Sequence, residues 1–176
     1  MTATHPVLAG PRVVLRPGTT DDVPALRAIR SEPAVARWWG TVPDDRQLLA
    51  EVSGQADLVF FVVEVDGAVA GGIQYAEEDD PDYRHAGIDV FLAERFQGSG
   101  LGSEAVAVLA AHLVDSLGHH RLTIDPAADN ERAIRAYGRV GFRPVGVLRQ
   151  YERAPDGSWH DGLLMDLVAD ELVRAR

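Results

Sequence analysis

The chain has 176 residues, no cysteine and no lysine, and its 17 arginines face 27 acidic residues for a formal net charge of −10. Disulfides, Cys-ligated zinc, iron–sulfur clusters and cysteine thioester chemistry are thereby excluded. With no basic stripe to meet phosphates, the expected partner is a small cationic or neutral molecule, neither nucleic acid nor membrane. The length suits one domain, residues 1–176, around a single core. No apolar run approaches the roughly 20 residues that span a bilayer, and MTATHPVLAGPR lacks the regions of a secretory signal, so a soluble cytoplasmic protein is expected.

In chain order, RVVLRP (12–17) reads as a strand, and Thr20 or Asp21 caps a helix with Val23, Leu26 and Ile29 at helical spacing. Pro33 opens a second helix through Trp38 and Trp39, and a third covers about 47–52. LVFFVVEV (58–65) and AVAGGIQY (68–75) flank Asp66-Gly67, a two-residue hairpin turn, and should pair antiparallel. The acidic, proline-broken stretch 77–82 reads as a loop. HAGIDVFL (85–92) alternates as a strand, with Ala86, Ile88, Val90 and Leu92 on one face and Asp89 on the other. From Gly100 an apolar helix runs to about Gly118, and RLTID (121–125) is a short strand stopped by Pro126. A helix then starts near Asp129 or Asn130, carries Ile134, Tyr137 and Val140, and ends at Gly141. Two strands, about 142–151 and 159–168, flank Asp156-Gly157. Strands alternating with helices give an α/β (α+β) class.

QGSGLGSEA (97–105) leads from a strand into a helix through three glycines. Glycines admit an anion close to the backbone, and the free N–H groups of the first helical turn point at it. The stretch reads either as a phosphate cradle without positive side chains or as a turn that packs a helix on a sheet. It lacks the Lys-Ser/Thr of a P-loop and follows most of the sheet, which disfavours nucleotide hydrolysis.

The ordered set Gln97-x-x-Gly100-x-Gly102, Asn130, Tyr137 and Gly141-Phe142 resembles the GNAT superfamily of acetyl-coenzyme A-dependent N-acetyltransferases, over about residues 12–168. The resemblance implies a mixed, mostly antiparallel sheet of about seven strands flanked by about four helices, with acetyl-CoA as cofactor and no metal. It implies that Gln97, Gly98, Ser99, Gly100, Leu101, Gly102 and Ser103 hold the pyrophosphate. Asn130 would lie along the pantetheine arm, Phe91, Leu92 and Ala133 would complete the coenzyme set, and Tyr137 would sit near the thioester sulfur.

Within that superfamily, Val35-Ala36-Arg37-Trp38-Trp39-Gly40, the acidic loop running into Gly87-Ile88-Asp89, and Ile124-Asp125-Pro126 with Asn130 and Arg132–Tyr137 resemble aminoglycoside 6′-N-acetyltransferases. That likeness implies an aminoglycoside acceptor and a role in antibiotic resistance. Asp89 and Asp125 would contact or deprotonate the amine, Trp38 or Trp39 would pack on sugar faces, and Glu77, Glu78 and Asp79 would guide the drug. The C-terminal part, GFRPVGVLRQYERAPDGSWHDGLLMDL, instead resembles ribosomal-protein N-terminal acetyltransferases. A protein N-terminus or another small amine, including a siderophore precursor, is therefore the alternative acceptor. A non-catalytic acetyl-CoA sensor is the alternative class.

The residues support the chemistry independently. An ammonium cannot attack a thioester until a base takes its proton, and a carboxylate on a sheet face can do that while anchoring the cation. Asp89 fits because Asp is depleted inside strands, although pairing with Arg84 is the competing role. Asp125 before Pro126 suits a plain turn as well as substrate contact. Tyr137 lies on an apolar stripe, where the residues alone suggest a core aromatic, while the resemblance implies a catalytic phenol that serves as general acid to the departing thiolate; Asn130 can serve as a helix N-cap. Adjacent Trp38 and Trp39 diverge by about 100° on a helix, so one should be left facing a cleft. The histidines show no metal-binding spacing, and neither Ser99 nor Ser103 sits in a nucleophile elbow, so direct transfer is expected. Monomer and homodimer both remain open.

Overall fold

The structure is a computed structural model that describes residues 5–55 and 57–175. Among them are β1 (Leu8–Ala9), β2 (Val13–Pro17), α1 (Val23–Arg30), α2 (Pro33–Trp39), α3 (Asp45–Val52), β3 (Val59–Val65) and β4 (Ala68–Glu78). These are followed by β5 (His85–Leu92), α4 (Leu101–Ala111), β6 (Arg121–Ile124), α5 (Glu131–Gly138), β7 (Arg143–Arg153) and β8 (Trp159–Val168). The eight strands form one sheet in the order β1-β2-β3-β4-β5-β6-β8-β7. Every neighbouring pair is antiparallel except β5 and β6, which are parallel and joined through α4.

The continuous apolar run of β3 follows from burial on both sheet faces. Phe61 and Val63 join the core beneath α4 and α5, and Phe60 and Val62 join the one beneath α1, α2 and α3. The same alternation splits β5: Ala86, Ile88 and Leu92 face the first core, while Phe91 faces the second. Asp89 shares the face of Phe91, as the period of a strand requires.

The expected mixed, mostly antiparallel sheet flanked by helices is present; the counts are eight strands and five α-helices among the described residues, the additional strand arising because Leu8–Ala9 pairs with β2. Other expectations are corrected. Glu77 and Glu78 are not in a loop: β4 continues to Glu78, paired with His85 and Ala86 of β5. The carboxylate of Glu77 meets the buried His119 side chain, Nε2 to Oε1 2.6 Å, so the charge has a partner where the strand emerges. Helix α4 ends at Ala111 and continues as a π-helical turn, His112–Ser116.

Candidate active site

Strands β5 and β6 pair only at Ala86 with Leu122 and Gly87 with Thr123, while β4 stays paired with β5 up to Leu92. Beyond Gly87 the two parallel strands diverge. The gap opens into a cleft of about 570 Å³, within the range of small-molecule sites. Its walls come from the end of β5, the start of α4, α5, and α2.

One end of the cleft is the glycine turn. Gly98 and Gly100 have φ of +81° and +84°, a region that branched side chains do not tolerate, so the turn needs glycine at both positions. No backbone carbonyl among the described residues accepts from the N–H groups of residues 98–103. These free donors stand at the positive end of α4. Gln97 braces the turn: its Nε2 donates to the Leu92 carbonyl at 2.7 Å, and its Oε1 accepts from Arg132. Asn130 caps α5, accepting from the Ala133 N–H at 3.2 Å.

The other end is acidic and aromatic. Asp89, Asp125 and Glu152 line it together with Trp38, Trp39, Tyr137 and Tyr151. None of the three carboxylates forms a salt bridge among the described residues. Arg84 instead donates to the Leu117 and Gly118 carbonyls, which removes it as a partner for Asp89. The hydrogen bond to Asp89 comes from Gln74, at 3.4 Å. Asp89 is open to the cleft and enclosed by protein on its other sides. That desolvation, reinforced by the Asp125 charge, pushes its carboxyl above the usual range, against the opposing pull of Gln74 and Arg30. Glu152 is raised in the same way by burial and its two acidic neighbours. Burial, with Asp89 and Asp125 nearby, holds the Tyr137 phenol well above its ordinary value. The neighbouring Asp125 carboxylate, and then burial, push Tyr151 up to about 12. Trp39 is fixed by donating Nε1–H to the Val90 carbonyl at 3.2 Å, and its ring packs against Phe91 and the Arg30 guanidinium, which also lies over Phe91.

Residues 12–143 match the acetyltransferase (GNAT) domain family. The chain belongs to the GNAT acetyltransferases. It is 30% identical over 164 residues to an aminoglycoside N(6′)-acetyltransferase type 1 of Klebsiella pneumoniae, covering 82% of this chain and 79% of the relative. It is 26% identical over 160 residues to a spermidine N(1)-acetyltransferase of Escherichia coli, covering 87% and 84%. Among solved structures, Mycobacterium smegmatis RimJ in complex with CoA-disulfide superposes with a TM-score of 0.81 at 26% identity, covering 97% of this chain and 89% of that one. This acetyltransferase is therefore an acetyl-CoA-dependent enzyme. The cleft suits the coenzyme, with free amide donors at the glycine turn and an opening between two strands.

Of the residues singled out in the acetyltransferase sequence, Trp38, Trp39, Asp89, Phe91, Leu92, Gln97, Gly98, Gly100, Gly102, Ser103, Asp125, Asn130, Ala133 and Tyr137 line this one cleft. Both tryptophans reach it, whereas one was expected, because α2 ends at Trp39 on the cleft's rim. Leu101 is instead buried in the core. Ser99 does not line the cleft either; its carbonyl accepts from Arg12. Glu77, Glu78 and Asp79 lie away from it, because the register places them beyond Ala86, toward the start of β5, and the cleft opens at its end.

Tyr151 and Glu152 were not anticipated, nor were Arg132 and Arg139; Arg132 reaches the glycine turn through Gln97, where a cradle free of positive side chains was expected. Between Leu148 and Glu152 strand β7 carries extra residues relative to β8, with Gln150 at φ +51°. Such a bulge re-aims side chains, and here it accompanies Tyr151 and Glu152 facing the cleft. A Tyr-Glu pair near a strand end carries no local signal of that role. Among the described residues, no cluster of His, Asp and Glu could hold a metal ion, and no helix is long and apolar enough to cross a membrane.

Proposed function

We propose that this acetyltransferase modifies a polycationic amine, and specifically the 6′-amino group of an aminoglycoside, by direct transfer in a ternary complex. The observation that carries the reading is the convergence of Asp89, Asp125 and Glu152, none in a salt bridge among the described residues, on one end of the cleft beside Trp38 and Trp39. Three carboxylates held close together repel one another, and an ammonium-rich ligand relieves that repulsion. Indole faces give flat apolar contact to sugar rings. The 30% identity to an aminoglycoside N(6′)-acetyltransferase supports the same choice.

Bound acetyl-CoA supplies the activated acetyl group as a thioester. The N–H groups of the glycine turn would hold the pyrophosphate, with Gln97 and Arg132 keeping that turn in place. Asp89 anchors the incoming ammonium and takes its proton, directly or through water, a role for which a raised carboxyl is better matched than an ordinary one. Tyr137, kept neutral by its surroundings, would give its proton to the sulfur as the new bond from the amine nitrogen to the acetyl carbon displaces it. Asp125 and Glu152 hold further ammonium groups of the acceptor, and Tyr151 orients Asp125.

The same acidic end also suits a linear polyamine, in keeping with the spermidine acetyltransferase relative. A coupled thiol-release assay separates the readings, using kanamycin or tobramycin, spermidine, an N-terminal peptide, and no acceptor. Efficient turnover on the aminoglycosides is expected. Turnover on the peptide alone would overturn the cationic-acceptor reading, and turnover on spermidine alone would overturn the aminoglycoside.

A further inference from the structure

Arg12 does not line the cleft, yet it touches the turn that closes one end of it. Its Nη1 donates to the Ser99 carbonyl at 3.0 Å and its Nε to Glu104 Oε2 at 2.7 Å. Glu104 lies in the first turn of α4, 8% exposed, and its Oε1 accepts from the backbone N–H groups of Arg12 and Val13 at 2.6 and 3.1 Å. One arginine and one buried glutamate therefore tie the start of β2 to the glycine turn.

Two physical consequences follow. In a planar trans peptide the carbonyl and the next N–H point in opposite directions. Drawing the Ser99 carbonyl toward Arg12 therefore turns the Gly100 N–H away from it, and Gly100 lines the cleft. The second consequence is electrostatic. A buried carboxylate in the first turn of a helix cancels part of the positive potential that an anion uses there. The Arg12 guanidinium offsets that charge while its own side chain stays 52% exposed.

We propose that Arg12 is a positioning residue for the coenzyme: by gripping the Ser99 carbonyl and the Glu104 carboxylate together, it holds the turn in its pyrophosphate-accepting form. The proposal rests on the reading of residues 98–103 as the pyrophosphate cradle. Arginine is required because a planar fork holds two acceptors in fixed directions, which a lysine ammonium on a flexible stem does not.

The test is titration of CoA, and of pantetheine, which lacks the pyrophosphate, into the full-length wild type and the variants Arg12→Met, Arg12→Lys and Gly100→Val. Both Arg12 variants should bind CoA roughly tenfold more weakly, the scale of one charge-assisted hydrogen bond, with pantetheine binding within about twofold of wild type. Wild-type CoA affinity in Arg12→Met overturns the proposal. So does wild-type affinity in Arg12→Lys, which would make the charge alone sufficient, or an equal loss for pantetheine, which would mark general structural damage. Should Arg12→Met fail to fold, the Lys variant decides, since it keeps the charge and the aliphatic stem. Gly100→Val separates the two readings. If it loses CoA while the Arg12 variants do not, the cradle stands and Arg12 has no part in it; if it binds CoA normally, the cradle itself fails.

Discussion

Asp89 sits on a sheet face with Gln74 as its hydrogen-bond donor and Asp125 as a like-charged neighbour, and both its chemistry and its cost to the fold follow from that. Asp89→Asn should lower turnover by about 10² to 10⁴, the scale of general base catalysis, while CoA binding measured by calorimetry stays unchanged. A loss of CoA affinity would move Asp89 out of the acceptor side. The same variant should melt at a higher temperature than wild type at neutral pH. A carboxyl raised in the folded state destabilises the fold fully above that raised value, and the penalty shrinks as pH falls from there to the unfolded value near 3.9, so the two melting curves should converge in acid. In kcat/KM, the acid limb should lie above the ordinary aspartate value of about 3.9, because activity needs the deprotonated carboxylate. Asp125→Asn should move that limb downward by removing one like charge; a limb that stays in place would assign the proton to another group. At this scale the glycine turn was legible, because a positive φ at Gly98 and Gly100 is a local demand that residue type reveals. Tyr151 and Glu152 were not, because a bulge in a strand pair set their direction.

The elements are joined at a few polar points. Arg16 of β2 binds Asp22 through two nitrogens at 2.9 and 2.8 Å and also reaches Glu64 of β3 at 2.9 Å. Asp22, 6% exposed, accepts as well from the Thr19 N–H and hydroxyl, which fixes the start of α1 against the sheet. Asp22→Asn should destabilise the fold by about 3 kcal/mol, read from thermal or urea unfolding, since it leaves a buried charge pair broken. The Arg16 contact holds the Asp22 carboxyl below its usual range, so its contribution is full above the unfolded value near 3.9 and is lost as pH falls through the folded one. The deficit of the variant should therefore shrink in acid, and a deficit constant with pH would show a packing effect instead. Strand and helix positions were readable from periodicity along most of the chain. The exceptions were the ends: Leu8–Ala9 is a strand because β2 offers an edge to pair with, and β4 extends to Glu78 because β5 continues beside it and His119 meets Glu77.

Across the whole molecule, the net charge of −10 is less informative than its placement. The run 77–82 holds five acidic residues, yet Glu77 and Glu78 pair three and four positions from Asp89 along β5, about 10 Å or more toward the far end of the strand. Asp125 and Glu152, much farther from Asp89 in sequence, share its cleft. Replacing Asp79, Asp80 and Asp82 together by Asn should therefore leave the acceptor KM within about twofold, whereas Glu152→Gln should raise it several-fold. The acceptor KM of the wild type should also rise with ionic strength, as screening weakens attraction to the acidic end. The reverse ranking of the two variants would return the docking role to the loop.

The amino-acid sequence alone determined the alternation of elements, the glycine turn at the start of a helix, the carboxylate inside an apolar strand and the family to which these belong. Each is a property of short segments, set by backbone conformation or by side-chain period. The tertiary structure decided which acidic groups share the cleft, that both tryptophans reach it, and that Arg12 grips the turn, because those contacts join residues tens of positions apart through strand register, a bulge and the divergence of two parallel strands.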